Sequence, residues 1–339
     1  MADFLAGLPK AELHLHIEGT LEPQFLLERA RKHQIQLKYL SLEEVQKAYQ
    51  FSNLQSFLDI YYLGMEVLRD ASDFHDLAWA YFQKAALQGV AHAEIFLDPQ
   101  AHISRGISIA TVMEGLLGAV ARARKELHLS IMLIPCFLRH LDEDSALDAL
   151  HQCLPYRENI VAFGLDSSEL GNPPRKFQKA FAKVRELGFR VTTHAGEEGP
   201  PSYICDSLDL LGAERIDHGV RCLEDHQLVE RLIRQQIPLT VCPLSNKALK
   251  VFPDLSKHPI RKMLNLGLLA SIHSDDPAYF GGYIGENYSQ CEGLVQLTRE
   301  ELALSARNSI RGSFLGKEEK SRLLEKLRRY CESQQVRLP

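Results

Sequence analysis

The sequence of 339 residues lacks the features that mark several large classes of protein. Its seven cysteines are odd in number and include no Cys-x-x-Cys pair, which argues against a disulfide framework and favours reduced thiols. No apolar run is long enough to span a bilayer, and the first ten residues, MADFLAGLPK, contain an acidic residue and no apolar signal-peptide core. We therefore expect a soluble, cytoplasmic protein with no membrane partner.

An excess of positive charge is also missing. The chain has 39 Lys and Arg against 44 Asp and Glu, a formal net charge of −5. This balance provides no basic surface of the kind that binds nucleic acid, and it suits a small, neutral substrate better than a polyanion. The content of hydrophobic residues, 45%, is ordinary for a globular protein with a large buried core. Nothing in the sequence indicates the oligomeric state.

Short apolar segments typical of β-strands alternate with segments of helical periodicity. In the stretch 224–235, for example, Leu228, Val229, Leu232 and Ile233 recur at helical spacing. Strands alternating with helices predict parallel βαβ units, and eight such units match a closed (β/α)₈ (TIM) barrel. An open doubly wound sheet is the alternative, but HLHIEGT at the end of the first strand is no glycine-rich phosphate loop. The predicted strands span residues 10–16, 91–97, 130–137, 160–166, 189–194, 215–218, 237–242 and 268–275.

One connection is much longer than the others. Residues 21–90, between the first two strands, are predicted to form a helical insertion in a single barrel domain that spans 1–339. An insertion after a barrel strand lies on the active-site face, where it can act as a lid. Its aromatic residues, Phe51, Phe57, Tyr61 and Tyr62, are expected to be mostly its own core.

Three histidines and an aspartate stand at the ends of predicted strands. His14 and His16 are two residues apart, so that both side chains point to the same side of the first strand. His194 ends the fifth strand and Asp275 the eighth. Because the carboxyl ends of barrel strands meet at one mouth, these four residues predict a metal site. Three imidazoles and a carboxylate suit Zn²⁺ with a water, whose pKa the metal would lower towards about 7.

Further polar residues would surround that metal. Glu197, on the loop after the fifth strand, could be desolvated enough to stay protonated and to donate a proton to a substrate ring nitrogen. His218, at the end of the sixth strand, could orient the water or stabilise its charge. Asp276 follows Asp275, and two adjacent carboxylates each need a cation or a proton partner. A metal on one and a heterocycle N–H on the other would meet that need.

Two rival arrangements find no support. Zinc cytidine-type deaminases use His-x-Glu with Pro-Cys-x-x-Cys, whereas Cys242 is followed by Pro-Leu-Ser. The fourth strand ends at Asp166 and offers no lysine that could bridge a second metal ion. We therefore expect one Zn²⁺ per chain.

These motifs together resemble the adenosine and AMP deaminase family of the amidohydrolase superfamily. The resemblance rests on His14-Leu-His16, Thr-His194-Ala-Gly-Glu197, Asp-His218-Gly and Ser-Asp275-Asp276-Pro, which occur in the family's order across the barrel. It implies zinc ligation by the three histidines and Asp275, proton donation from Glu197 to the purine N1, and assistance to the water by His218. It also implies that Asp276 holds the purine N7. Asp275, Glu197 and His218 would thus form the catalytic set.

Within the family, the loops THAGEEGPPSYI and DDPAYFGGY are similar to those of microbial adenine deaminases, which implies hydrolytic deamination of a free purine base. Adenosine deaminases end the fourth strand with Asp-Leu-Ala-Gly, but this chain reads Asp166-Ser-Ser168-Glu169. We expect Glu169, with Ser168, to accept an N–H of free adenine and to exclude a nucleoside. A site built on such a hydrogen bond rejects the analogue lacking it by ~10⁴ or more.

Two departures from the family pattern and three alternatives remain. Glu18 stands where the family commonly has Asp. His273 is unusual for the family. It is expected to be either a supporting partner of Asp275 or a buried histidine whose hydrogen bonds are satisfied elsewhere. N6-substituted (cytokinin-type) adenines are an alternative substrate, as is adenosine if Glu169 points away from the pocket. A non-catalytic metal-binding barrel is the third alternative.

Overall fold

A computed structural model of the chain describes residues 2–39 and 41–338. Its eight strands are parallel and follow one another around the sheet in sequence order. A bridge between Leu15 and Asp275 joins the two outer strands and closes the sheet. The TIM-barrel prediction is therefore confirmed. The strands are β1 (Lys10–Glu12), β2 (Val90–Leu97), β3 (Ser130–Leu138), β4 (Ala162–Asp166), β5 (Arg190–Ala195), β6 (Arg215–His218), β7 (Pro238–Val241) and β8 (Leu269–Ile272).

Helices surround the barrel, and their ends follow local sequence signals. The helix after β6, for example, begins where the Asp225 side chain accepts the N–H groups of Gln227 and Leu228, and it buries Leu228 and Leu232 against the sheet. No described helix is long and apolar enough to cross a membrane. The α-helices are α1 (Ala2–Gly7), α2 (Pro23–Lys32), α3 (Leu42–Ala48), α4 (Leu54–Gly64), α5 (Ala71–Leu87), α6 (Pro99–Ile103), α7 (Ile109–Glu126), α8 (Glu143–Cys153), α9 (Gln178–Glu186), α10 (Pro201–Asp206), α11 (His226–Gln235), α12 (Pro243–Ala248), α13 (Ile260–Asn265), α14 (Pro277–Phe280), α15 (Ile284–Gly293), α16 (Arg299–Gly312) and α17 (Lys317–Ser333).

The outer strands are shorter than predicted. β1 ends at Glu12 and β8 at Ile272, rather than at residues 16 and 275. The chain continues beyond both strands through isolated bridges, and Asp275 has a left-handed φ of 65° that is incompatible with a strand. His14 and His16 therefore reach the barrel mouth from an irregular extended segment, and strict strand alternation does not place them.

The segment between β1 and β2 contains helices α2 to α5. Helix α4 lies over the barrel mouth, where Phe57 packs against Tyr279 and Phe280 of α14 at ring-centroid distances of 5.5 and 4.6 Å. Phe51 and Tyr61 are buried in the same aromatic cluster. The helical character predicted for residues 21–90 is found; its role as a lid stays a prediction.

Candidate active site

Three imidazoles and a carboxylate from distant parts of the chain meet at the barrel mouth. The Nε2 atoms of His16 and His194 are 3.1 Å apart. Oδ1 of Asp275 lies 3.3 Å from Nε2 of His14 and 3.6 Å from Nε2 of His16. Four donors around a metal with bonds of about 2.1 Å form a tetrahedron with edges of about 3.4 Å. The three separations, 3.1, 3.3 and 3.6 Å, are close to these edges and are compatible with donors that share a metal ion.

His218 is also close enough to be considered as a ligand. One nitrogen of His218 and donor atoms of His14, His194 and Asp275 all lie within 4.8 Å of one another. However, Nε2 of His218 lies 3.8 Å from Oδ2 of Asp275, whereas His14 and His16 face Oδ1. The two oxygens of Asp275 thus face different groups, although the ring of His218 lies 4.5 Å from that of His14, closer than the 5.7 Å between the rings of His14 and His16.

The protonation states of this cluster favour binding of a cation. Burial lowers the pKa of His16 to about 4 and that of His218 to about 3, and it lowers the pKa of His194 well below its usual range. These rings are neutral and offer lone pairs at neutral pH. Although burial opposes protonation of His14 as well, the Asp275 carboxylate outweighs it and raises the pKa of His14. Nε2 of His14 has no hydrogen-bond partner, which leaves it free for a metal.

Hydrogen bonds behind the cluster fix the orientation of His14. Its Nδ1 lies 2.9 Å from Oγ1 of Thr240, and that hydroxyl donates to Asp217 at 2.8 Å. Asp217 also accepts from Thr192, and Arg215 lies 3.4 Å from it. Such partners hold the ring of a ligating histidine and direct its other nitrogen, here Nε2, towards the metal.

Two acidic residues beside the cluster have strongly perturbed pKa values. Burial, together with the charge of Asp275, raises the pKa of Glu197 well above its usual range. The same causes raise the pKa of Asp276. Both shifts favour the protonated carboxyl, which is the form that can donate a hydrogen bond. Oε2 of Glu197 lies 3.5 Å from Nε2 of His218, and Gly19 packs so tightly against Asp276 that a Cβ there would overlap the carboxyl.

A small cavity of about 30 Å³ lies directly over these groups. Its walls combine polar side chains at strand ends with an apolar surface from α4, where Leu54, Phe57, Leu58 and Tyr61 face the cavity. Its mixed lining suits a small molecule with both polar and apolar groups. The pocket is lined by His16, Leu54, Phe57, Leu58, Tyr61, Tyr62, Asp98, Asp166, Ser167, His194, Glu197, His218, Leu249, Asp275, Asp276 and Phe280.

Three residues of the pocket have left-handed backbone conformations. They are Ser167, His218 and Asp275, with φ of 74°, 65° and 65°. Each stands at or just beyond the end of a strand. A non-glycine residue in a sparsely populated conformation costs of order 1–3 kcal/mol. This strain is concentrated where the strand ends turn their side chains towards the pocket.

Glu169 is placed differently from the sequence-based expectation. It does not line the pocket. Its buried carboxylate accepts four consecutive backbone N–H groups of the loop after β5, from Gly196, Glu197, Glu198 and Gly199, at 2.7, 3.1, 2.8 and 2.7 Å. Gly199 is required there because a Cβ would overlap the carboxylate. The expectation that Glu169 contacts the base is therefore wrong, since its acceptor sites are already satisfied by the loop.

The other residues of uncertain role are also accounted for. Ser168 donates to Gln55 at 3.3 Å on the surface and does not line the pocket, so its expected substrate contact is not found. His273 is fully buried; it accepts the N–H of Leu13 at 3.1 Å and lies 2.8 Å from Oγ of Ser271. It is thus a satisfied buried histidine. Glu18 faces His102 at 2.8 Å rather than the pocket.

Sequence reasoning missed three polar residues at strand ends. Asp98 directly follows β2, Asp166 ends β4, and both line the pocket. Arg139 directly follows β3 and donates to the carbonyl oxygen of His194 at 2.7 Å. Because the carboxyl ends of all barrel strands meet at one mouth, their position alone was a usable signal.

The sequence matches the family model described as "Adenosine deaminase" over residues 9–330. The chain belongs to the adenosine deaminase family. Among curated members, an adenine deaminase of Hahella chejuensis is 52% identical over 333 residues, which are 98% of this chain and 100% of that protein. The resemblance seen in the sequence is therefore confirmed.

Solved structures of the adenosine deaminase family agree with this fold. The adenine deaminase of Arthrobacter aurescens superposes with a TM-score of 0.94 at 48% identity, covering 96% of this chain and 99% of the other. An amidohydrolase of Burkholderia ambifaria with bound zinc gives a TM-score of 0.88 at 25% identity, covering 98% and 94%. A solved structure of this architecture thus contains zinc.

Proposed function

We propose that the chain is an adenine deaminase, which converts adenine and water into hypoxanthine and ammonia in purine salvage. The observation that carries the proposal is Glu197, whose raised pKa favours the protonated acid, beside a cluster of side chains that could hold a metal ion at the barrel mouth. Relatives named adenine deaminase, such as the one 52% identical over almost the whole chain, support the choice of substrate.

One Zn²⁺ per chain would be held by His14, His16 and His194 with Oδ1 of Asp275. Nitrogen-rich sets with one carboxylate suit zinc, which could take a water as a fifth ligand. β4 ends in Asp166, and no described lysine lines the pocket to bridge a second ion. When bound, zinc makes a water nucleophilic near neutral pH by lowering the pKa of that water to about 7.

The acidic residues activate the base from two sides. The protonated Glu197 carboxyl donates to N1 of adenine, which makes the adjacent carbon, C6, electrophilic. The protonated carboxyl of Asp276 donates to the lone pair of N7. Together these two hydrogen bonds orient C6 towards the metal-binding cluster.

His218 and Oδ2 of Asp275 accept the proton that water loses as its oxygen bonds to C6. That proton then moves to the exocyclic nitrogen, the C6–N bond breaks, and ammonia leaves. The remaining hydroxyl proton returns to the ionised Glu197, so that hypoxanthine forms with a C6 carbonyl and a protonated N1. Nε2 of His218 and Oε2 of Glu197 are 3.5 Å apart, so that both groups that carry protons lie beside C6 of adenine.

An ultraviolet assay of the zinc-loaded protein tests the proposed function. Adenine, adenosine and N6-isopentenyladenine are compared by kcat/KM. We expect adenine to exceed adenosine by ~10⁴ or more, the discrimination that a lost hydrogen bond can provide. A higher kcat/KM for N6-isopentenyladenine would assign the chain to the cytokinin-type reaction. Activity on none of the three would leave only a metal-binding barrel.

Replacement of Glu169 by glutamine is expected to lower kcat for adenine about 10- to 100-fold with a smaller change in KM. The amide loses the negative charge and one acceptor oxygen, and each hydrogen bond to a charged group contributes about 1.5–3 kcal/mol. The loop that carries Glu197 would then lose its fixed position. Steady-state kinetics and zinc content are measured, and zinc content should not change.

Glu198→Gln is the matched control, because it removes the same charge from the loop itself but breaks none of the four bonds. It should retain near-normal kcat. If Glu169→Gln gained adenosine activity while keeping adenine activity, the loop-holding role would be contradicted and the original substrate-contact role restored.

A further inference from the structure

Arg139 is a buried cation beside the active site that the mechanism above does not use. It directly follows β3, and none of its surface is exposed to solvent. It does not line the pocket, so it does not contact a molecule held there. A charged side chain is almost never fully buried unless other groups pair with it, and its partners therefore indicate what it does.

Hydrogen bonds from Arg139 join the ends of three neighbouring strands. Nη1 donates to the carbonyl oxygen of His194, near the end of β5, at 2.7 Å. Nε donates at 2.9 Å to the carbonyl oxygen of Asn172, in the segment after β4. The backbone N–H of Arg139 donates to the carbonyl oxygen of Asp166, at the end of β4, at 3.1 Å. One residue therefore links β3, β4 and β5 at the barrel mouth.

The bond to His194 stands where the sheet itself supplies none. The described pairing of β4 with β5 ends at Phe163 and Val191, short of His194. Continued in the same register, the two strands would place Asp166 opposite His194, but no pair is described there. The guanidinium of Arg139 reaches across this gap from the end of β3. It thereby fixes the backbone of a residue whose ring belongs to the metal-binding cluster.

The charge of Arg139 also acts on the carboxylate that holds the loop after β5. Burial lowers the pKa of Arg139, and the charge of Glu169 is the largest influence that raises it. No described hydrogen bond joins the two side chains, because Nε and Nη1 donate to carbonyls and Nη2 has no partner within the described residues. Glu169 is itself buried, and a nearby cation stabilises a buried carboxylate. Arg139 thus supplies a positive charge for the group that accepts the amides of residues 196–199.

We propose that Arg139 is a positioning residue, which holds the segment from His194 to Glu197 at both ends. It binds the backbone of His194 directly, and it acts on Glu197 through Glu169, which accepts the N–H of Glu197 at 3.1 Å. A small displacement of His194 or Glu197 lowers the rate because reacting groups must be aligned. This effect on the rate rests on the proposed function, whereas the effects on metal affinity and on the loop do not.

Arg139→Met tests the proposal by removing the charge and the side-chain donors while keeping a long side chain. We expect the Kd for zinc to rise about 10–100-fold, as when a residue that supports a metal ligand is lost. Hydrogen exchange of the amides at 196–199 should become at least about 10-fold faster, because their acceptor loses the adjacent charge. For adenine, kcat should fall at least about 10-fold with a smaller change in KM, because Arg139 does not line the pocket.

Two further variants separate positioning from a purely structural role. Arg139→Lys keeps the charge but lacks the two-nitrogen fork, so each loss should be present but smaller than in Arg139→Met. Arg105→Met is the matched control, because Arg105 also donates to two backbone carbonyls, those of Ala101 and Leu68 at 3.1 and 3.3 Å, and does not line the active-site pocket. It should lower the unfolding temperature but leave zinc affinity and exchange at 196–199 unchanged.

Zinc affinity and hydrogen exchange need no turnover, and exchange is also followed in the chelated protein. Normal values on both measures in Arg139→Met would overturn the proposal. If that variant does not fold, Arg139→Lys decides in its place, and normal values on both measures there would overturn the proposal as well. If adenine is not deaminated but both measures change as expected, the proposed function is wrong and the positioning role of Arg139 stands.

Discussion

Replacing Glu197 by glutamine is expected to lower kcat for adenine about 1,000-fold, with KM changed only a few-fold and zinc content unchanged. Proton donation by a positioned acid contributes typically 10²–10⁴ in rate, and an amide can donate a hydrogen bond without transferring its proton. The loss should appear in kcat because N1 must gain the proton as C6 is attacked. Steady-state kinetics with metal analysis of the same samples checks both statements.

The pH profile adds a second measurement on Glu197. Its raised pKa favours the protonated acid, so activity should fall as pH rises through that pKa and the proton is lost. The residual activity of Glu197→Gln should not show this alkaline fall. Glu198→Gln, one residue further along the loop, should keep both normal kcat and the alkaline fall. A kcat for Glu197→Gln within ten-fold of normal would assign the proton donor to another group.

Loss of the metal is expected to abolish the reaction. A chelator should remove activity, zinc should restore it, and His194→Ala should bind zinc at least ~100-fold more weakly, since loss of even a supporting residue costs 10–100-fold. Three imidazoles are buried at the site, and the Nε2 atoms of His16 and His194 lie 3.1 Å apart, where a shared cation would bind both. Metal analysis, kinetics and thermal unfolding of the chelated and reconstituted protein measure these effects.

Stability should change together with activity. A ligand that binds only the folded state stabilises it by about 4 kcal/mol when present at 1,000 times its Kd, so the chelated protein should unfold at a lower temperature. His258→Ala is the control, because His258 is also buried but bonds to Asn246 away from the pocket. It should lose stability but no zinc. Full activity in the chelated protein would contradict metal dependence altogether.

The convergence of distant residues could be predicted because the barrel brings all strand ends to one mouth. His14, His16, His194 and Asp275 stand at such ends, and the structure places them together although β1 and β8 stop earlier than predicted. Their roles as zinc ligands stay predictions. Position along the chain was sufficient here because small shifts at a strand end do not move a residue away from the mouth.

The direction of Glu169 could not be predicted in the same way. Ser167 has a left-handed φ of 74°, and this turns the chain after β4 so that Glu169 faces the loop after β5 rather than the cavity. Serine carries no strong signal for that conformation, which is typical of glycine or asparagine. Asp98 was missed for a different reason: it stands alone after β2, outside any recognisable motif, and only the fold shows its partner Asp166.

The bonds from the Glu169 carboxylate to residues 196–199 make the segments after β4 and β5 a single mechanical unit. A chimera that takes only one of these two segments from a relative with a different substrate preference leaves either the four amides or the buried Glu169 carboxylate without hydrogen-bond partners. A change in substrate selectivity, natural or engineered, must therefore replace both segments together. Otherwise it must be limited to other walls of the pocket, such as α4, whose residues can change one at a time.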